Sequence, residues 1–120
     1  MSATRRHFTK TFAAADMGAD VISPITDVRS YDDVGYLAVF TSAHTPVGLL
    51  SIQGSMDYDP TVAGSTGTWV DIVTPVALTA GSPQLFDIVG TSVPFVRFKY
   101  TRTSGGSADT LTVTVTGKGS

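Results

Sequence analysis

Thr110-Leu111-Thr112-Val113-Thr114-Val115-Thr116-Gly117 is the stretch that decides the fold class. Leu111, Val113 and Val115 alternate with four threonines, so an extended chain here has one apolar and one hydroxyl face. A helix would scatter the same residues around its circumference. Upstream, Phe95-Val96-Arg97-Phe98-Lys99-Tyr100-Thr101 repeats the pattern, with Arg97 and Lys99 opposite Val96, Phe98 and Tyr100. Thr103-Ser104-Gly105-Gly106-Ser107 lies between the two segments and reads as a hairpin loop, which predicts that 95–101 and 110–117 pair antiparallel.

Working outward, segments of strand character separated by turn signals are predicted at 8–13, 20–24, 34–42, 48–54, 68–73, 75–80, 84–89, 95–101 and 110–117. Ala13-Ala14-Ala15-Asp16-Met17 can form at most one helical turn before Gly18. Tyr58-Asp59-Pro60 and Gly64-Ser65-Thr66-Gly67 place the longest loop at 57–67. No stretch is long enough for the crossover helix of a parallel unit. The fold class expected is all-β, an antiparallel β-sandwich of jelly-roll type with eight or nine strands. The alternating positions predict a core of Leu37, Val39, Leu50, Ile52, Trp69, Ile72, Phe86, Ile88, Val96, Phe98, Leu111 and Val113.

Composition agrees with this reading. Serine and threonine number thirty of 120 residues, and all ten acids are aspartate. Without glutamate the chain is short of a residue that builds surface helices, whereas threonine favours strands. Charged residues make up only 15% of the chain against 42% hydrophobic, where about 25% charged is ordinary for a soluble domain. The apolar runs, such as 36–40 and 47–50, are far shorter than the ~20 residues of a membrane-spanning helix, so no membrane role is expected. The low charge instead predicts a surface covered by neighbours or coated with hydroxyls.

The chain length suits one domain. Residues 19–120 are expected to form a single sandwich, and residues 1–18 either an arm that grips a neighbour or the first strand. Arg5, Arg6 and Lys10 make the first ten residues +3, leaving −5 on the other 110. With Phe8 and Phe12 these cations form a candidate interaction arm: Arg5, Arg6, Phe8, Lys10 and Phe12. Such a segment can contact an acidic protein neighbour or a nucleic-acid backbone. The N-terminus has no apolar stretch of the kind a secretory signal needs.

Candidate chemistry is sparse. There is no cysteine, and neither His7 nor His44 has a second ligand at metal spacing. No G-x-S-x-G elbow presents a nucleophile. Asp57 and Asp59 can share a cation, but Asp59-Pro60 reads more simply as a turn in which the carboxylate bonds its own backbone. Asp32-Asp33 reads the same way. Trp69 is either core or, if exposed, a sugar platform. The expectation is a protein without catalytic, cofactor or metal residues and without a small-molecule substrate.

Three blocks carry a resemblance. Gly48-Leu49-Leu50-Ser51-Ile52-Gln53-Gly54-Ser55-Met56-Asp57 is followed by Gly67-Thr68-Trp69-Val70-Asp71-Ile72. Pro94 to Gly106, with Tyr100-Thr101-Arg102-Thr103-Ser104-Gly105, leads into Leu111 to Gly119, and Asp27-Val28-Arg29-Ser30-Tyr31-Asp32-Asp33-Val34 precedes both. Together they resemble small β-sandwich virion structural proteins of bacteriophages, of the decoration or minor capsid type, over roughly residues 20–119. That resemblance implies a capsid, decoration or other head or tail component, made in the host cytoplasm and located in the virion. Its partners would be other virion proteins and further copies of itself, contacted without a cofactor, and it transfers no site residues. A looser likeness, through Ser55-x-Asp57 and Trp69, is to galactose-binding sandwiches, and implies a carbohydrate-binding module as the alternative.

Overall fold

In a computed structural model, which describes residues 6–79, 82–89 and 93–119, the chain is all-β. Its strands are β1 (Arg6–Thr11), β2 (Ala15–Asp16), β3 (Val21–Ile22), β4 (Thr26–Asp27), β5 (Asp33–Phe40), β6 (Val47–Ser55), β7 (Val70–Asp71), β8 (Val76–Ala77), β9 (Gln84–Val89), β10 (Phe95–Ser104) and β11 (Thr110–Gly119). They form two antiparallel sheets. The first runs β1-β11-β5-β9, with β2 continuing the line of β1 along β11. The second runs β3-β10-β6-β7, with β4 beside β10 and β8 beside β6.

Counting each broken strand once leaves eight strand positions, ordered 1-8-3-6 in one sheet and 2-7-4-5 in the other. That is the jelly-roll topology. Every connection but one switches sheets, the exception being the loop from β6 to β7.

The expected hairpin is therefore wrong. β10 and β11 do not pair; β10 lies between β6 and β3/β4, and β11 between β5 and β1. The loop joining them is a corner that carries the chain from one sheet to the other. Gly105 and Gly106 take φ of +66° and +81°, and a Cβ on Gly105 would collide with the Thr45 carbonyl oxygen. The glycines that suggested a tight turn allow close passage of two corners instead.

Asp109 holds this end together. Its carboxylate is 1% exposed and accepts hydrogen bonds from Thr41 Oγ1 and from the His44 backbone N–H, each at 2.9 Å. The Thr41 hydroxyl in turn accepts from the Thr110 N–H at 3.0 Å. The Asp109 carbonyl accepts from the Met17 N–H, and its own N–H donates to Gly106 O, both at 2.9 Å. Gly106 N–H donates to His44 O at 2.9 Å. Three sheet-switching turns, after β2, β5 and β10, thus meet on one residue.

The core lies between the sheets. It includes Tyr36, Ala38, Phe40, Leu50, Ile52, Phe86, Ile88, Val96, Phe98, Tyr100, Leu111, Val113 and Val115. Eight of the twelve predicted core residues are buried there, and Ile72 packs against them half-buried. Leu37 and Val39 are not core: they are 37% and 46% exposed. In β5 both faces are apolar, and pairing with β11 decides between them. Tyr36, Ala38 and Phe40 sit opposite Val115, Val113 and Leu111, which puts Leu37 and Val39 opposite threonines.

Residues 6–16 stay with the sandwich, β1 pairing with β11 from Arg6↔Gly119 to Thr11↔Thr114. The described part of residues 1–18 is thus a first strand; residues 1–5 lie outside the described residues. Ala15–Asp16, read as a helical turn, is a strand piece.

Burial opposes ionisation of Asp109, but the hydrogen bonds from His44 and Thr41 outweigh it and hold the carboxyl below the usual carboxylate range. The stability linked to this group is present at neutral pH and lost as pH falls through its folded-state pKa. Asp109→Asn turns one acceptor into a donor, which then faces either the Thr41 hydroxyl or the His44 N–H and leaves that bond unmade. It should lower the melting temperature at pH 7 by about 5 °C or more, and the gap from wild type should narrow near pH 3 (thermal melts at both pH values). An unchanged melting temperature at pH 7 contradicts this role.

Candidate interaction surfaces

Alternation in β11 forces Thr112, Thr114 and Thr116 out of the core, and register spreads that face across the first sheet. One row across it reads Thr11, Thr114, Leu37, Leu85, and the next Thr9, Thr116, Gly35, Asp87. Thr9 and Thr116 share a hydrogen bond of 3.0 Å between hydroxyls, and Thr11 and Thr114 one of 2.9 Å. The hydroxyls thus satisfy one another across strands. Next to them Leu37, Val39 and Leu85 stand in solvent, Leu85 at 72% exposure. Gly35 leaves a shallow depression of about 300 Å³, bordered by Asp33, Leu85, Asp87, Thr116 and Lys118.

Of the candidate arm, Arg5 lies outside the described residues and Arg6 opens β1. Phe8 is half-buried, its ring 4.7 Å from that of Tyr31 and lying where a side chain on Gly117 would stand. Phe12 is half-buried against the core, its N–H donating to Val113 O at 2.9 Å. Lys10 is exposed, with Nζ 5.9 Å from the Phe12 ring centre. The two aromatics anchor the edge strand within the chain, while His7 and Lys10 face solvent.

The second sheet is covered on its outer side by the loop between β6 and β7. Ser55 Oγ donates to Asp57 Oδ1 at 2.9 Å, and Thr68 N–H donates to the same oxygen. The Thr68 and Ser55 donors hold the Asp57 carboxyl below its usual range. Asp59 accepts from the Thr61 N–H at 2.9 Å and from its hydroxyl at 2.6 Å. Asp59 thus makes the turn bond expected beside Pro60, while Asp57 ties the two ends of the loop together through Ser55 and Thr68. Among the described residues no three His, Asp, Glu or Cys side chains cluster as a metal site would need.

This loop delivers Tyr58 and Trp69 onto the sheet. The Arg97 guanidinium stands 4.3 Å from the Trp69 ring centre, and Arg97 Nε donates to Gln53 Oε1 at 2.9 Å. Tyr58 meets Phe95 edge-on at 5.1 Å and Trp69 at 6.0 Å. Arg29 reaches over the Phe95 ring at 5.1 Å while its Nη2 bonds Asp27 Oδ2 at 2.6 Å. Trp69 is thus half-buried outside the sandwich core, a correction to the sequence reading. The ring face that Arg97 covers is not available to a sugar.

This architecture is shared with a phage-derived protein. The SPBc2 prophage-derived protein YomS superposes with a TM-score of 0.61 at 10% identity, covering 98% of this chain and 97% of that one. A weaker likeness, TM-score 0.45 at 17% identity, is to a chain in the structure of infectious bursal disease virus, Gx strain, of which 32% is covered. Another, TM-score 0.42 at 16% identity, is to a chain of Bacillus endospore appendages, described as disulfide-linked pili, of which 88% is covered. The YomS match supports the sandwich over the whole chain. No protein-family model matches the chain, and neither does any curated protein.

The threonine alternation of 110–117 marks the hydroxyl part of the first sheet's outer face in the sequence, but its apolar part is hidden there, because Leu37 and Val39 inside a strand read as core. Arg97 over Trp69 was equally hidden, since the two are far apart in sequence. Because the ring packs on a cation and a tyrosine, Trp69→Ala should cost about 1–3 kcal/mol in urea unfolding. A cost above about 4 kcal/mol would place Trp69 in the core after all.

Proposed function

We propose that the chain is a virion structural protein, a decoration or minor capsid component that acts through contacts within a phage particle. The observation that carries the reading is the outer face of the first sheet, where Leu37, Val39 and Leu85 lie exposed among paired threonines. An apolar patch bounded by satisfied hydroxyls suits contact with another protein surface. The face is broad and shallow, which suits affinity spread over area more than capture of a small molecule. The likeness to YomS, a prophage-derived protein, supports a phage setting. In this reading the chain works without catalysis and resides in the virion. The N-terminal cations, Arg5, Arg6 and Lys10, meet an acidic neighbour there.

The test is quantitative mass spectrometry of particles purified through a density gradient from cells that make the chain. The chain should band with the particles at a fixed ratio to the main shell protein. Val39→Lys, which leaves the core untouched, should keep the melting temperature and cut incorporation several-fold. A chain that stays in the soluble fraction while particles form normally contradicts the proposal.

A further inference from the structure

The two sheets end differently. Both outer edges of the second sheet are broken into two-residue pieces, β3 and β4 on one side and β7 and β8 on the other. Short, interrupted edges resist pairing with other chains. The first sheet ends in two six-residue strands, β1 and β9. Among the described residues β1 pairs only β11, and β9 pairs only β5. Each therefore presents one unpaired row of backbone N–H and C=O groups.

The two edges are complementary. Along the path β1-β11-β5-β9 every pairing is antiparallel, so β1 and β9 run in opposite directions. A second copy in the same orientation would bring its β1 alongside β9 antiparallel, continuing the sheet without a change of pattern. The charges fit as well: β1, Arg-His-Phe-Thr-Lys-Thr, carries two cations and a histidine, and β9, Gln-Leu-Phe-Asp-Ile-Val, one carboxylate and no cation. An edge pairing with itself would bring like charges together, whereas β1 against β9 sets an edge with no carboxylate beside an edge with no cation. Lys10 on β1 thus works against β1–β1 pairing, and Asp87 against β9–β9 pairing.

We infer that β1 of one copy adds to β9 of the next, extending the first sheet head to tail between copies of this chain. One register keeps the threonine faces continuous and sets complementary groups opposite each other. It places Thr9 of one copy beside Leu85 of the next, Phe8 beside Phe86, His7 beside Asp87, and Lys10 beside Gln84. Leu85, the most exposed large hydrophobic residue described, then packs on a threonine methyl. The interface is heterologous, so it closes into a ring or extends as a filament according to the rotation between copies. It deepens the virion reading by naming the first neighbour, a second copy of this chain.

The chain has no cysteine, so introduced cysteines report contacts without background. Thr9 and Leu85 sit on opposite edges of a four-stranded sheet, roughly 14 Å apart, too far for a disulfide within one copy. Oxidising purified Thr9→Cys/Leu85→Cys over a range of protein concentrations, and in particles where the chain is incorporated, should give a ladder of linked multimers. Peptide mapping should show position 9 joined to position 85. Each single variant should give no ladder. Adding Asp87→Lys should lower the linked yield several-fold with the melting temperature unchanged, and adding His7→Asp to that variant should restore it. Links of 9 to 9 or 85 to 85, or no link in either setting, overturn the inference. Incorporation without a 9–85 link defeats this inference alone; a ladder from a chain that never enters particles defeats the virion reading alone.

Discussion

One buried carboxylate ties the two sheets at one end of the sandwich. A jelly roll differs from a stack of hairpins because its chain must leave one sheet and enter the other repeatedly, and each crossing exposes backbone groups that no ladder satisfies. Three crossings converge on Asp109. Its carboxylate accepts from Thr41 and His44 in the turn after β5. Its carbonyl takes the Met17 N–H after β2, and its N–H closes the turn after β10 onto Gly106. The strands then need only their alternation to fill the space between the sheets, and register does the rest. With Leu111, Val113 and Val115 turned inward, β5 must present Phe40, Ala38 and Tyr36 beside them. That choice sends Leu37 and Val39 outward and creates the apolar, threonine-lined face. The surface proposed for assembly is thus a consequence of how the core strand β11 is paired.

Most strand positions were legible because period-two alternation survives wherever one face is wet, as in β10 and β11. What the alternation does not carry is the partner of each strand. The segments 95–101 and 110–117, joined by Ser104-Gly105-Gly106, suit a hairpin and a corner equally well, since both put one apolar face inward. Only the close approach of the His44–Thr45 backbone to Gly105 and Gly106 distinguishes them, and that is a contact between segments sixty residues apart. The expectation of a jelly roll already contained the answer, since its last two strands lie in different sheets. Asp109 itself gave no sign, being one more aspartate after a turn.

The surface divides in the same way. Turn chemistry at Asp59 is visible because its partner Thr61 is two residues away, whereas the Thr68 N–H that Asp57 binds lies eleven residues on. Trp69 was misplaced because its environment is made by Arg97 and Tyr58, which reach it only once β6, β10 and the intervening loop are assembled. Phe8 and Phe12 are anchors, but within their own chain, through Tyr31 and the core. That leaves the free edge of β1, where His7 and Lys10 are exposed, and not its aromatics, to meet a neighbour.

The Asp109 corner is a structural knot and not a surface loop. Amide hydrogen exchange on the isolated protein measures this directly. If the corner locks both sheets, the amides of Met17, His44, Gly106 and Asp109 should exchange only through global unfolding, as slowly as those of Leu111 and Val113 in the centre of β11. If they exchange like ordinary loop amides, orders of magnitude faster than β11, the sheets are held by their core alone and the account is contradicted.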